Sequence, residues 1–208
     1  LASENLEGKK MKIVVTGHTR GIGKAIYDLL SSYGHEVVGM SRSNGFDLSE
    51  FEKVANAVLE EDPGILINNA FAPQAQTNLL KTVYASWREK HKFIINMGSA
   101  AALIPKNHPD YCMPYASDKR EQKEFCDVEN FNYSKTEFLN IKCRLTNLNF
   151  DYVSTDFPSK HDKRGFPNLR ARQVAKVVDM LVSDFCMGST LSFRELTFHS
   201  TAPPEIKK

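Results

Sequence analysis

The chain has 208 residues, enough for one full hydrophobic core without disulfide or metal staples. Its 27 basic and 25 acidic residues leave a formal charge of +2, which gives no electrostatic footprint for nucleic acid or an anionic membrane. No run of 18 apolar residues exists, and Cys112, Cys126, Cys143 and Cys186 lack metal-ligand spacing. The expectation is a soluble, cytoplasmic protein with reduced thiols, no metal and no membrane partner.

Residues 1 to 10 lack periodicity, so they are expected to be disordered or foreign to a natural chain starting at Met11, with the folded domain running from 11 to 208. Ile13-Val14-Val15 predicts a strand. It runs directly into Thr16-Gly17-His18-Thr19-Arg20-Gly21-Ile22-Gly23, after which Ile22, Ala25, Ile26, Leu29, Leu30 and Tyr33 recur on one helical face, closed by Gly34. A strand, a glycine turn and a helix N-terminus in succession bring backbone N–H groups and the positive helix end onto a pyrophosphate, which points to a dinucleotide.

Val37-Val38-Gly39-Met40 predicts a second strand, broken at Ser43-Asn44-Gly45. Ser49 and Glu52 predict a capping box ahead of a helix carrying Phe51, Val54, Ala55, Val58 and Leu59, ended by Pro63-Gly64. Ile65-Leu66-Ile67 reads as a buried strand, Leu80, Val83, Tyr84 and Trp87 as a helix face, and Phe93-Ile94-Ile95 as another buried strand. Phe138, Leu139, Cys143 and Leu145 suggest a helix, and Tyr152-Val153 a strand. Val174, Val177, Val178 and Leu181 mark a further helix, and Phe193 to Phe198 an edge strand. This alternation argues an α/β, single-domain, doubly wound parallel sheet. Only Arg42 to Phe46 separate the second strand from Asp47, too few for a parallel crossover, so a regular third strand is expected to be missing and the second strand to lie at the sheet edge.

The glycine turn is followed in order by Asp47-Leu48, Asn68-Asn69-Ala70, Asn96-Met97-Gly98-Ser99 and Tyr115-Ala116-Ser117-Asp118-Lys119. Together these motifs resemble the short-chain dehydrogenase/reductase family over residues 11 to about 200, as a compact member shortened between the second strand and the Asn-Asn-Ala motif. The resemblance implies a Rossmann fold, a nicotinamide cofactor, a small carbonyl or alcohol substrate, and a homodimer or homotetramer. It makes Tyr115 the general acid/base, Lys119 the cation that lowers the tyrosine's pKa and holds the nicotinamide ribose, and Ser99 the hydroxyl that orients the carbonyl. An unperturbed phenol, with a pKa of about 10, is a poor base at neutral pH, and a nearby ammonium perturbs it in the useful direction. Asn78 matches the family's middle-helix asparagine, which carries a relay water, and equally fits a helix cap. The same resemblance gives Gly17, Thr19, Arg20, Gly21, Ile22 and Gly23 to the phosphate turn and Asp47 and Leu48 to the adenine pocket. It gives Asn69 and Ala70 to the adenosine side and Pro158 to the nicotinamide side.

Arg20 and Arg42 bear on cofactor choice, because a 2′-phosphate suits a guanidinium whereas a 2′-hydroxyl is usually held by a carboxylate ending the second strand. Here that strand ends Met40-Ser41-Arg42, which favours NADP over NAD. Several departures from the pattern stand beside it. Ser99 and Tyr115 are 16 positions apart, wider than the family norm, and the segment Arg120 to Glu124 is wholly polar where the family's helix is buried. Lys135 offers a rival register, with Phe131 four residues before it and no phenol to transfer a proton. Pro158-Ser159 replaces Pro-Gly, and His108 and His161 fit either the substrate mouth or plain surface. Two functions follow: an NADP-dependent oxidoreductase, or an NADP-binding regulatory or structural protein with a degenerate site. A nucleotide-sugar epimerase or dehydratase is disfavoured by the short chain.

Overall fold

The computed structural model of the chain describes residues 9–108, 114–134, 141–151, 153–154, 169–189 and 192–198. The apolar runs form β1 (Lys12–Thr16), β3 (Ile65–Asn68) and β4 (Phe93–Met97), and each packs on both faces because helices cover both sides of the sheet. On one side α1 (Gly21–Ser32) and α5 (Ala171–Cys186) bury Ile26, Leu30, Val178 and Leu181 against Ile13, Val15, Ile65 and Ile67. On the other, α2 (Phe51–Glu61) and α3 (Ala75–Trp87) bury Val54, Val58, Leu80 and Val83 against Val14, Leu66 and Ile94. Successive strand residues thus serve opposite cores, as the two-residue pleat requires. Each fully buried aliphatic side chain contributes about 1.5–3 kcal/mol.

The main sheet has the order β2-β1-β3-β4-β5-β8, with β2 (Glu36–Met40), β5 (Arg144–Phe150) and β8 (Glu195–Phe198), and every neighbouring pair is parallel. β2 lies at the edge, as expected. Where a third strand would run there are two short 3-10 turns, Arg42–Asn44 and Leu48–Glu50, so the chain steps straight from β2 into α2. A separate pair, β6 (Val153–Ser154) and β7 (Leu169–Arg170), is also parallel. No described helix is long and apolar enough to cross a membrane.

The fold corrects three readings. The helix expected to include Cys143 and Leu145 is a strand from Arg144, because its asparagines and threonine find sheet partners that a helix would not offer: Thr146 Oγ1 donates to Phe193 O and Asn147 Oδ1 accepts from Asn96 Nδ2 at 2.8 Å. Phe138 and Leu139 lie outside the described residues. No capping box joins Ser49 to Glu52. Instead Asp47 caps the preceding turn, its carboxylate accepting from the Ser49 N–H at 3.0 Å and the Ser49 hydroxyl at 2.9 Å. The helix face read from Leu80 begins earlier, at Ala75.

Candidate active site

Because the strands are parallel, Gly17, Ser41, Asn69 and Gly98 all emerge at one edge of the sheet, where open α/β folds bind ligands. Gly17 has φ +70 and donates its N–H to Met40 O at 2.7 Å, which seats the glycine turn against β2. A Cβ on Gly23 would stand 2.2 Å from Gly17 O, so only glycine lets α1 start this close to the turn. Thr16 Oγ1 accepts from the N–H groups of Asn69 and Ala70, both at 2.9 Å, and the Asn69 amide donates back to Thr16 O at 2.9 Å. Asn69 therefore braces the turn from below. This backbone cradle at the N-terminus of a twelve-residue helix fits a pyrophosphate.

Around the cradle, Thr19 and Arg20 are exposed, Ile22 is half-buried, and Arg20 is the extended residue that precedes α1. Arg42 is exposed in the first 3-10 turn, held by a reciprocal pair in which Asn44 Oδ1 accepts from the Ser41 N–H at 2.8 Å. The Asp47 carboxyl is held below its usual range by its hydrogen bonds to Ser49, with Arg42 adding a smaller attraction. Leu48 is buried in the α2/α3 core.

The second cluster sits at the ends of β4 and α4 (Tyr115–Tyr133). Ser99 accepts from the Ala101 N–H at 3.1 Å and so caps the short turn Ala100–Leu103. Arg120 ties that turn to α4 by donating to Ala102 O at 3.2 Å and to Ile104 O. This brings Ser99 to the first residue of α4, close enough to act on the Tyr115 phenol. Burial pushes the Tyr115 phenol up, and Ser99 opposes that. Phe71, 43% exposed, meets the Tyr115 ring edge-on with centroids 4.9 Å apart. Phe131 lies in the last turn of the same helix and is 56% exposed. Lys135, Pro158, Ser159 and His161 lie outside the described residues, and His108 is exposed.

Lys119 sits one turn below Tyr115 and is only 3% exposed, packed beneath the Phe71 and Tyr115 rings at 5.2 and 5.8 Å from their centroids. Its Nζ donates to Gln76 Oε1 at 2.6 Å, to Met97 O at 2.9 Å and to Gln122 Oε1 at 3.4 Å. Burial brings its pKa down to about 7, with Asp118 acting in the opposite sense. Asp118 also accepts the Gln74 N–H at 2.9 Å, which pins the start of α3, where Gln74 has φ +57. Asn78 is half-buried in the first turn of α3, and its backbone N–H donates to Gln74 O; the α3 side chain that touches Lys119 is Gln76, two positions earlier.

Sequence reasoning missed Gln76, Gln122 and a row of amides across the sheet. Asn68, Asn96 and Asn147 stand opposite one another on β3, β4 and β5. Asn68 Nδ2 donates to Asn96 Oδ1 at 2.9 Å, and Asn96 Nδ2 to Asn147 Oδ1 at 2.8 Å and Gln122 Oε1 at 3.3 Å. Their signal was available as polar residues inside strands that otherwise read as buried. The polar run Arg120 to Glu124 likewise contained one fully buried member, Gln122.

No family model matches the chain, and no curated protein matches it either. Solved structures do. The chain superposes on a 3-alpha-hydroxysteroid dehydrogenase from Pseudomonas sp. complexed with NADH at a TM-score of 0.72 and 20% identity, covering 89% of this chain and 94% of that one. The chain has the fold of the short-chain dehydrogenases and reductases. A short chain dehydrogenase from Burkholderia cenocepacia in complex with NADP matches at a TM-score of 0.67 and 15% identity, over 92% of this chain and 89% of that one. An alcohol dehydrogenase from the archaeon Thermococcus sibiricus, complexed with 5-hydroxy-NADP, matches at 0.65 and 19%, over 95% and 100%. The short-chain dehydrogenase fold is thus present nearly whole in this chain.

Proposed function

We propose that this protein is an NADP-dependent oxidoreductase that interconverts a small carbonyl compound and its alcohol. The observation that carries the reading is that Ser99 and Tyr115 come together, with Ser99 acting on the Tyr115 phenol, at the same sheet edge as the glycine cradle, in a fold whose solved examples include NADH- and NADP-bound dehydrogenases. When bound, the nicotinamide supplies or accepts the hydride. Tyr115 gives its phenolic proton to the carbonyl oxygen during reduction and recovers it during oxidation, and the Ser99 hydroxyl orients that oxygen. The Lys119 amine lies beneath the Tyr115 ring. A phenol pushed up by burial stays protonated at neutral pH, which suits it to donate to the carbonyl oxygen during reduction. Arg20 and Arg42 flank the cradle and take the 2′-phosphate, and Asp47 and Leu48 border the adenine. Phe71 and Leu103, both well exposed, give the mouth an apolar lip.

The test is NADPH oxidation in the presence of a panel of aldehydes and ketones, run beside Tyr115→Phe. Turnover of at least one carbonyl that vanishes in the variant supports the reading. Saturable NADPH binding with no turnover across the panel would favour the other reading, an NADP-binding protein without this chemistry.

A further inference from the structure

An ammonium has three N–H donors, and at Lys119 all are spent on protein acceptors: the Gln76 side chain, the Met97 carbonyl and the Gln122 side chain. The faces that remain lie beneath the Phe71 and Tyr115 rings. The clamp is itself locked. Gln76 is fully buried, and its Nε2 donates to Asn68 O at 2.8 Å and Met97 O at 3.2 Å, so its Oε1 is aimed at Lys119 by the ends of two strands. Gln122 reaches the same oxygen at 3.3 Å and is held from the other side by Asn96, which belongs to the amide row. A long cationic side chain so enclosed cannot reach a ligand without breaking several buried hydrogen bonds, each of which leaves an unpaired polar atom behind.

We propose that Gln76 is a positioning residue that clamps Lys119 inside the protein, so that Lys119 does not hold the cofactor. This rests on the nicotinamide-site reading above for the cofactor's place, and on the described contacts alone for the clamp. Among the described residues, the charged group that bears on Lys119 is Asp118, its neighbour on α4, and Tyr115 is the titratable group beside it; α3, β3 and β4 present only amides and carbonyls. The lowered Lys119 pKa agrees with a cation held away from water.

Two readouts test the proposal, and the first needs no cofactor. In protein labelled at the lysine Nζ and Cε, the Lys119 resonance, assigned by its loss in Lys119→Met, should titrate near 7. In Gln76→Glu, which keeps the side chain's shape but sets a carboxylate against the amine, it should titrate at least about one pH unit higher. An unchanged midpoint overturns the clamp. The second readout is NADPH affinity, which Lys119→Met should leave within about twofold of the wild type; a loss of about tenfold or more means that Lys119 does hold the cofactor and overturns the proposal. If Lys119→Met fails to fold, Lys119→Gln, which can still donate to Met97 O, takes its place. Wild-type protein that binds no NADPH at all contradicts the nicotinamide reading instead, while the titration still decides the role of Gln76.

Discussion

The two halves of the ligand edge are built from different materials. At the β1–α1 end the contacts offered to a ligand are backbone: a glycine turn with φ +70 at Gly17, a Gly23 with no room for a Cβ, and the open N–H groups of a helix start. At the β4–α4 end they are the side chains of a serine and a tyrosine, underlain by a buried lysine wired into glutamines and asparagines drawn from several elements. Backbone sites demand specific residues at adjacent positions, whereas side-chain sites accept any residues that the fold brings together. The first half therefore depends on Gly17 and Gly23, and the second on residues far apart in sequence.

The largest expected effect separates the halves by function. Tyr115→Phe should reduce turnover by about 10²–10⁴-fold, the usual worth of a positioned acid/base, and leave NADPH affinity within about twofold. Equal loss of binding would mean that the phenol belongs to the cofactor site. Gly23→Ala should act through cofactor binding instead. With its new Cβ 2.2 Å from Gly17 O, the turn must open, and calorimetry should find NADPH binding lost or weakened by more than about tenfold. Retained affinity in this variant would show that the cradle is not the phosphate site.

A smaller effect tests the rim of the backbone half. Arg42→Asp should cut the preference for NADPH over NADH by about tenfold or more, since a charge-assisted contact is worth about 1.5–3 kcal/mol. An unchanged ratio in competitive titrations would exclude Arg42 from the phosphate contact. The smallest effect belongs to the side-chain half. The folded-state Lys119 pKa, about 7, lies below the unfolded value of 10.5, so between those values the unfolded chain binds the extra proton. Stability must therefore rise with pH across that window, by about 1 kcal/mol per unit for this group. Denaturant unfolding at pH 7 and pH 8.5 should show that rise in the wild type and a smaller one in Lys119→Met. Parallel slopes would place the Lys119 amine in water.

The same contrast explains what the sequence disclosed. The parallel sheet and its missing third strand were legible because apolar runs and the short Arg42–Phe46 spacing constrain chain geometry directly. Gln76 was not, because its meaning depends on Lys119, 43 positions away, and on strand ends that only the folded sheet assembles. The strand Arg144–Phe150 was hidden for a related reason: its polar residues look unsuited to an interior until the neighbouring strands supply their hydrogen-bond partners.

The most direct test of the account as a whole is a paired fluorescence titration of the wild-type protein with NADPH and NADH at one ionic strength. The expected result is saturable binding of both, with NADPH at least about tenfold tighter, as follows if the cradle receives the shared pyrophosphate and Arg20 and Arg42 meet the extra phosphate of NADPH. Identical curves would contradict the arginine assignment, and no binding of either nucleotide would contradict the cofactor site itself.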